Sequence, residues 1–360
     1  WGLACGSFRV STSENLTLFS EMKPPLLSGL LTGLLFLGGH LAAQESAPLL
    51  KSGDRIVLIG NTLFERARLY GHLETTLQIA AGPEVKGVTL RNLGWSGDTV
   101  FGDGRSYFGA PSEGRDRLTR NLGEVKPSVA LISYGTEAAM SVDQGWTEDP
   151  AHAAASAAGL EASRKVFLDG YQALIDQVKA ASGQQLREIV LISPPPLENL
   201  GAPLPDQMKN NRNLASFRDG IRELATKNHL RFVDLFAALG GDSFKGEVAR
   251  PALTDDGVHY GEAGHAVISR ELVKGLGYAE SALVDQNNPA LAELRADIIE
   301  KDRLFFHRWR PANETYLFLF RKHEQGQNAK EIPMYDPLIA AQEKRIEEAR
   351  TRVLAGLPKN

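Results

Sequence analysis

Five short runs hold most of the residue types that could do chemistry in this chain. They are Gly60-Asn61-Thr62, Gly94-Trp95-Ser96-Gly97-Asp98, Gly135-Thr136-Glu137, Pro194-Pro195-Pro196 and Asp255-Asp256-Gly257-Val258-His259. Hydroxyls, carboxylates and one imidazole are the groups that proton transfer and nucleophilic catalysis use. Ser96 sits in Gly-Trp-Ser-Gly, but a nucleophile elbow needs Gly-x-Ser-x-Gly, and Asp98 fills the last glycine place. Ser96 therefore reads as a loop or substrate-binding residue, with Asp98 anchoring the loop. His265 follows His259 by six residues, which is not the i, i+4 spacing of a helical zinc pair, so it reads as a helix-surface histidine. No Gly-rich phosphate loop, haem motif or metal-ligand cluster is evident in the sequence, so no cofactor and no metal are expected.

The elements that must position these runs alternate. Arg55–Ile59, Val88–Asn92, Val129–Tyr134, Glu188–Ser193 and Leu230–Leu235 are short apolar runs that read as strands. Helix-period patterns fall at Leu63–Ala80, Phe167–Ala181, Lys209–Asn228 and Gly261–Gly275. Continuous apolar strands between amphipathic helices predict an α/β fold, a parallel sheet covered on both faces. Such sheets bind ligands outside the carboxyl ends of their strands, where these runs lie.

Composition sets the outer bounds. The chain has 360 residues, 42% hydrophobic and 23% charged, which suits one large core plus an appendage. A net charge of -4 gives no bulk attraction to nucleic acid or anionic lipid. Cys5 is the only cysteine, so no disulfide framework is expected. Residues 1–21 read as sequence upstream of the true start. Met22, Lys23, the apolar run Leu26–Leu37 and the small pair Ala42-Ala43 have the layout of a secretory signal peptide over 22–43, cleaved before Gln44. The competing reading is an uncleaved membrane anchor. Cleavage implies a secreted or periplasmic protein without stable membrane insertion. From about Ala279 the composition shifts. Helices are expected over Pro289–Trp309 and Asp336–Leu357, as a helical extension covering 279–360. Its basic and aromatic cluster, His307, Arg308, Trp309, Arg310, Tyr316, Arg321, Lys322 and His323, reads either as part of an amphipathic clasp or as a binder of acidic sugar.

The order of the runs resembles the SGNH hydrolase superfamily, the GDSL-type esterases. That family carries Gly-Asp-Ser after strand one, Gly after strand two, Gly-x-Asn after strand three and Asp-x-x-His near the domain end. This chain has Gly60-Asn61-Thr62, Gly94, Gly135-Thr136-Glu137 and Asp256-Gly257-Val258-His259, and the resemblance spans residues 51–278. The stretches PPPLENLGAPLPD (194–206) and FFHRWRPANETYLFLFRKHEQG (305–326) are similar to a planctomycete-type subgroup. The resemblance implies a three-layer, flavodoxin-like, doubly wound five-stranded parallel sheet. It also implies hydrolysis of carboxylic esters, including acyl groups on carbohydrate, by serine-histidine-aspartate chemistry. Carried over, His259 is the base, Asp256 its orienting acid, Thr62 the nucleophile, and Gly94 with Glu137 the oxyanion hole.

Two positions depart from the family. Thr62 keeps a hydroxyl, but its methyl restricts χ1 and crowds the attack. Threonine nucleophiles elsewhere pair with a chain-terminal amine. Glu137 stands where asparagine is expected; an ionised carboxylate only accepts hydrogen bonds and repels a developing negative charge. Asn61, in place of aspartate, reads as a loop-organising acceptor that caps the following helix. With Ser96 and Pro195 it makes up the expected substrate side of the cleft. The alternative function is a binding module that kept the cleft and lost the chemistry. Neither the acyl group, the alcohol nor the oligomeric state can be read from the sequence.

Overall fold

The computed structural model describes residues 47–107, 109–142, 150–243, 251–283 and 288–356. The expected leader over 22–43, the upstream residues 1–21 and Cys5 lie outside the described residues. The elements run β1 (Arg55–Gly60), α1 (Thr62–Tyr70), α2 (His72–Ala80), β2 (Thr89–Asn92), α3 (Pro111–Val125), β3 (Val129–Ser133), α4 (Thr136–Met140), α5 (Pro150–Ser182), β4 (Glu188–Ile192), α6 (Met208–Lys227), β5 (Arg231–Val233), α7 (Leu235–Ala238), α8 (Glu262–Gly275), α9 (Ala292–Trp309), α10 (Glu314–Leu317), α11 (Lys322–Gln325) and α12 (Tyr335–Gly356). Among the described residues no helix is long and apolar enough to cross a membrane.

The five strands form one sheet in the order β2-β1-β3-β4-β5, and every pair is parallel. That is the flavodoxin-like order, whose strand-order reversal opens a crevice between β1 and β3. Alternate residues of each strand feed opposite cores. Val57, Ile59, Ala130, Ile132 and Leu191 pack with Tyr171, Phe217 and Ile221 on one face. Ile56, Leu58, Val129, Leu131 and Val190 pack with Leu73, Leu77 and Leu272 on the other. Both faces are dry, which is why the strands read as unbroken apolar runs. The expected α/β sandwich is therefore present.

Local differences from the expected elements have identifiable causes. The helix expected over Leu63–Ala80 is two helices, broken at Gly71, which sits at φ +66. A side chain there would meet Ile299 and Arg295 of α9 at 3.0 and 3.1 Å, so the break is where the C-terminal helix packs in. The last strand stops at Val233 because Asp234 caps α7, accepting the Ala237 N–H at 3.0 Å. Helix α3, which no periodic run announced, buries only Gly114, Leu118 and Leu122.

The C-terminal helices cover the β2 edge. Leu294 and Ile298 of α9 pack with Ile346, Ala349 and Val353 of α12 and with Ile79 of α2. Buried charges fix this packing. Lys301 Nζ donates to Glu74 Oε2 (2.6 Å), Asp302 Oδ1 (2.6 Å) and Leu90 O (3.0 Å). Arg350 donates to the carbonyls of Gln78 (2.8 Å) and Val85 (2.7 Å).

Candidate active site

Each expected run falls at the carboxyl edge of the sheet, on a loop or on the first turn of the helix that follows. Gly60 ends β1, Asn61 caps α1 and Thr62 is its first residue. Asn61 Oδ1 accepts the Leu63 N–H at 3.3 Å, satisfying one of the free donors of the helix start. The Thr62 N–H also stands in that first turn, where the helix supplies no acceptor.

The Asp-x-x-His run is held as a small hairpin. Thr254 and Tyr260 form an isolated antiparallel bridge, and Asp255 donates its N–H to the His259 carbonyl at 2.8 Å. Between them Gly257 takes φ +90, and a Cβ there would lie 2.7 Å from the Glu198 carbonyl, so only glycine closes this turn. Asp256 Oδ2 lies 2.7 Å from His259 Nδ1, while its Oδ1 accepts the N–H groups of Val258 (3.0 Å) and His259 (2.8 Å). Partial burial pushes the Asp256 carboxyl up, but the imidazole and the two backbone donors outweigh it and hold the group at about 2. Asp256 is therefore ionised at neutral pH and fixes the imidazole with its proton on Nδ1. That leaves Nε2 as the basic nitrogen.

Asn61, Thr62, Glu137, Pro195, His259 and His265 line one cavity of about 320 Å³. The cavity thus joins the ends of β1, β3 and β4 to the hairpin. Within it, Asn61 Nδ2 donates to Glu137 Oε2 at 2.6 Å. Burial raises the Glu137 carboxyl above its ordinary range, opposed in part by the Asn61 amide and by His259, and reinforced by the charge of Asp98. Glu137 also lines a second, larger pocket of about 540 Å³ with Val100, Phe101, Val166 and Phe167.

Two expected site residues stand apart. Gly94 and Ser96 are not among the described residues that line the cavity; Gly97 is. The Gly94 N–H donates to Asn92 Oδ1 at 2.8 Å, and a Cβ on Gly94 would lie 2.4 Å from Glu65 N. The close approach of β2's exit to α1 is reason enough for this glycine. Ser96 is exposed and gives its N–H to Glu65 Oε2 at 2.6 Å. Asp98 anchors the loop as its position suggested. It is fully buried, and Oδ2 accepts from Arg105 Nε and from the Tyr134 hydroxyl, both at 2.6 Å.

His265 corrects the sequence reading. It is buried, 3% exposed, and packs at a tilt against Tyr70 with ring centroids 5.0 Å apart. It shares the inward stripe of α8 with Ile268 and Leu272, at i, i+3 and i+7, which the spacing to His259 could not reveal. Burial first, then the nearby Arg66 and His72 charges, lower its pKa to about 3, so it is neutral.

Sequence reasoning missed Glu198. This buried carboxylate accepts the N–H groups of Leu253 (2.8 Å) and Thr254 (2.7 Å) and the Thr254 hydroxyl (2.7 Å), while its own N–H donates to Gly257 O (2.9 Å). With the Tyr260 hydroxyl on Pro196 O (2.5 Å), it staples the loop after β4 to the hairpin. The signal available was an acid inside the PPPLENLGAPLPD stretch, without any mark of what it faces.

The model of the GDSL-like lipase/acylhydrolase family matches residues 60–267, from the end of β1 into α8. The chain belongs to that family. A comparison with curated protein sequences gives no match. Among solved structures, a gut microbial diltiazem-metabolizing enzyme aligns at 19% identity with a TM-score of 0.51, covering 66% of this chain and 49% of that one. The chain thus spans about half the length of that enzyme. Axe2, an acetylxylan esterase from Geobacillus stearothermophilus, aligns at 19% identity and a TM-score of 0.45, covering 66% of this chain and 100% of the other. At these identities the likeness is one of fold.

Proposed function

We propose that this family member hydrolyses carboxylic esters, with Thr62 as nucleophile, His259 as general base and acid, and Asp256 as the orienting carboxylate. The observation that carries the reading is the 2.7 Å Asp256–His259 contact on the rim of a cavity that also holds Thr62. His259 Nε2 takes the Thr62 proton as Oγ1 adds to the ester carbonyl. The tetrahedral intermediate collapses, His259 returns the proton to the leaving alcohol, and Thr62 is left acylated. Water then repeats the sequence: His259 takes its proton, the acyl–oxygen bond breaks, and Thr62 Oγ1 recovers a proton as the carboxylic acid leaves. With the Gly94 N–H engaged by Asn92, the Thr62 N–H at the start of α1 is the backbone donor best placed for the oxyanion. Small esters and acyl groups on carbohydrate are the substrates to try first. We also read the protein as exported after cleavage following Ala43, and the stretches 194–206 and 305–326 as marks of the planctomycete-type subgroup.

The test is turnover of p-nitrophenyl acetate, p-nitrophenyl butyrate and acetylated sugars by the protein beginning at Gln44. His259→Ala and Thr62→Ala should abolish it. Thr62→Ser should raise kcat/KM, because the hydroxyl stays and the crowding methyl goes. If neither the parent nor Thr62→Ser shows His259-dependent hydrolysis, the chemistry is absent. The carboxylate of Glu137 inside the cavity would then favour the binding-module reading.

A further inference from the structure

We propose that Asn61 is a catalytic residue, the side-chain donor to the oxyanion, and that Glu137 is the positioning residue that aims its amide. This rests on the hydrolase reading and assigns the part of the site that reading leaves open.

The argument begins with the two ends of the Asn61 amide. Oδ1 faces the helix start and accepts the Leu63 N–H at 3.3 Å. Nδ2 faces Glu137 Oε2 at 2.6 Å. Only this orientation makes both bonds, since the flipped amide would set Oδ1 against a carboxylate oxygen and Nδ2 against an N–H. The amide is thus held from both ends. It is also 4% exposed and forms part of the cavity wall beside Thr62, so its rotamer freedom is already lost before substrate arrives.

An amide nitrogen carries two hydrogens, and the Glu137 bond uses one. The second serves the cavity, one residue from the attacking oxygen. A donor fixed in advance, in a partly dry site, stabilises charge that develops on the carbonyl oxygen without reorganising. Glu137 suits the positioning task because it is an acceptor. Its oxygen fixes the plane of the amide, so the remaining N–H keeps one direction. The carboxylate that read from sequence as a repelling group in the oxyanion hole thus acts through Asn61.

The test uses the full mature chain with two readouts, p-nitrophenyl acetate turnover and the affinity of phenylboronic acid, a tetrahedral oxyanion mimic, by calorimetry. Asn61→Asp keeps the cap acceptor and removes the donor. Asn61→Ser keeps a cap acceptor and removes the amide, leaving only a shorter hydroxyl and no second carboxylate against Glu137, and serves if the first variant fails to fold. Each should lower kcat by ~100- to 1000-fold, the range for loss of one oxyanion donor, with KM within about threefold. Boronate binding should weaken about tenfold or more. Glu137→Ala should lower kcat about tenfold with KM held, and Glu137→Gln, which keeps an acceptor, should restore most of that loss. Two results would overturn the assignment. One is kcat and boronate affinity unchanged in both Asn61 variants while His259→Ala still abolishes turnover. The other is no boronate binding by the parent chain. If neither the parent nor Thr62→Ser shows ester turnover, the hydrolase reading falls, but boronate affinity still decides whether Asn61 is the donor.

Discussion

Removing the Glu198 side chain should damage stability and turnover together. Glu198 is 3% exposed and its Oε2 takes three hydrogens, from Leu253 N, Thr254 N and Thr254 Oγ1. Glu198→Ala leaves two backbone N–H groups and one hydroxyl without that acceptor. A buried unmet donor costs ~1–3 kcal/mol each. Water entering the space vacated by the carboxylate recovers part of this, so the lower bound of about 3 kcal/mol is the working figure. Against a total stability of ~5–15 kcal/mol that is a large fraction. Glu198→Gln keeps one carbonyl oxygen and loses the charge that strengthens these bonds, so its cost should be about 1 kcal/mol. Urea unfolding at 25 °C gives both values. The hairpin holding Asp256 and His259 loses its anchor in the alanine variant, so kcat should fall there more than in the glutamine variant. An alanine variant within about 0.5 kcal/mol of the parent, the range of an ordinary surface change, would refute the anchoring argument.

Three further expectations concern charge. Asp256 is held at about 2 when folded, against ~3.9 unfolded, so its contribution is complete above pH ~4 and is lost as pH falls toward 2. Asp256→Asn should therefore lose less stability between pH 5 and pH 2 than the parent, by under about 1 kcal/mol because the side chain is 44% exposed. Burial raises Glu74 to about 8, so between pH ~4.5 and 8 the folded chain holds a proton that the unfolded chain releases, and stability falls as pH rises. Glu74→Gln should flatten that slope, measured as the difference in Tm between pH 5 and pH 8. Lys301→Met leaves the buried carboxyl groups of Glu74 and Asp302 without the ammonium they share and should cost ~3–5 kcal/mol by urea unfolding.

The fold was legible because both sheet faces are buried. Five apolar runs such as Arg55–Gly60 and Val129–Ser133 carry no competing period, and the chemistry-bearing residues follow them directly. Thr62, Asp256 and His259 came from the family resemblance, whose motifs lie next to a strand end or within a tight turn, where sequence neighbours are also spatial neighbours. Gly94 could not be judged that way. Its glycine answers the approach of Glu65 N at 2.4 Å, a contact between segments that sequence does not connect. His265 and Glu198 failed for the same reason: each role depends on the face turned toward a distant segment. Gly71 reads as a helix interruption only once α9 is packed against it.

The basic and aromatic cluster of the C-terminal extension shows how such long-range packing changes a functional reading. As sequence it reads first as a clasp on the main domain and second as a binder of an acidic ligand. In the fold its three arginines and Trp309 are engaged. Arg308 pairs with Asp336 at 2.8 Å, and Arg321 pairs with Glu324 at 2.6 Å. Arg310 lies 3.8 Å over the Trp95 ring and 2.8 Å from Glu65. Trp309 meets Trp95 edge-to-face, with ring centroids 5.6 Å apart. Glu65 in turn accepts the Ser96 N–H. Cation, indole and carboxylate thus clamp Trp95 and Ser96, and the next residue, Gly97, is part of the cavity wall. A cation–π contact of this kind is worth ~0.5–2 kcal/mol, enough to bias one loop geometry without holding the domain together. The extension therefore reaches the cavity wall through the loop after β2.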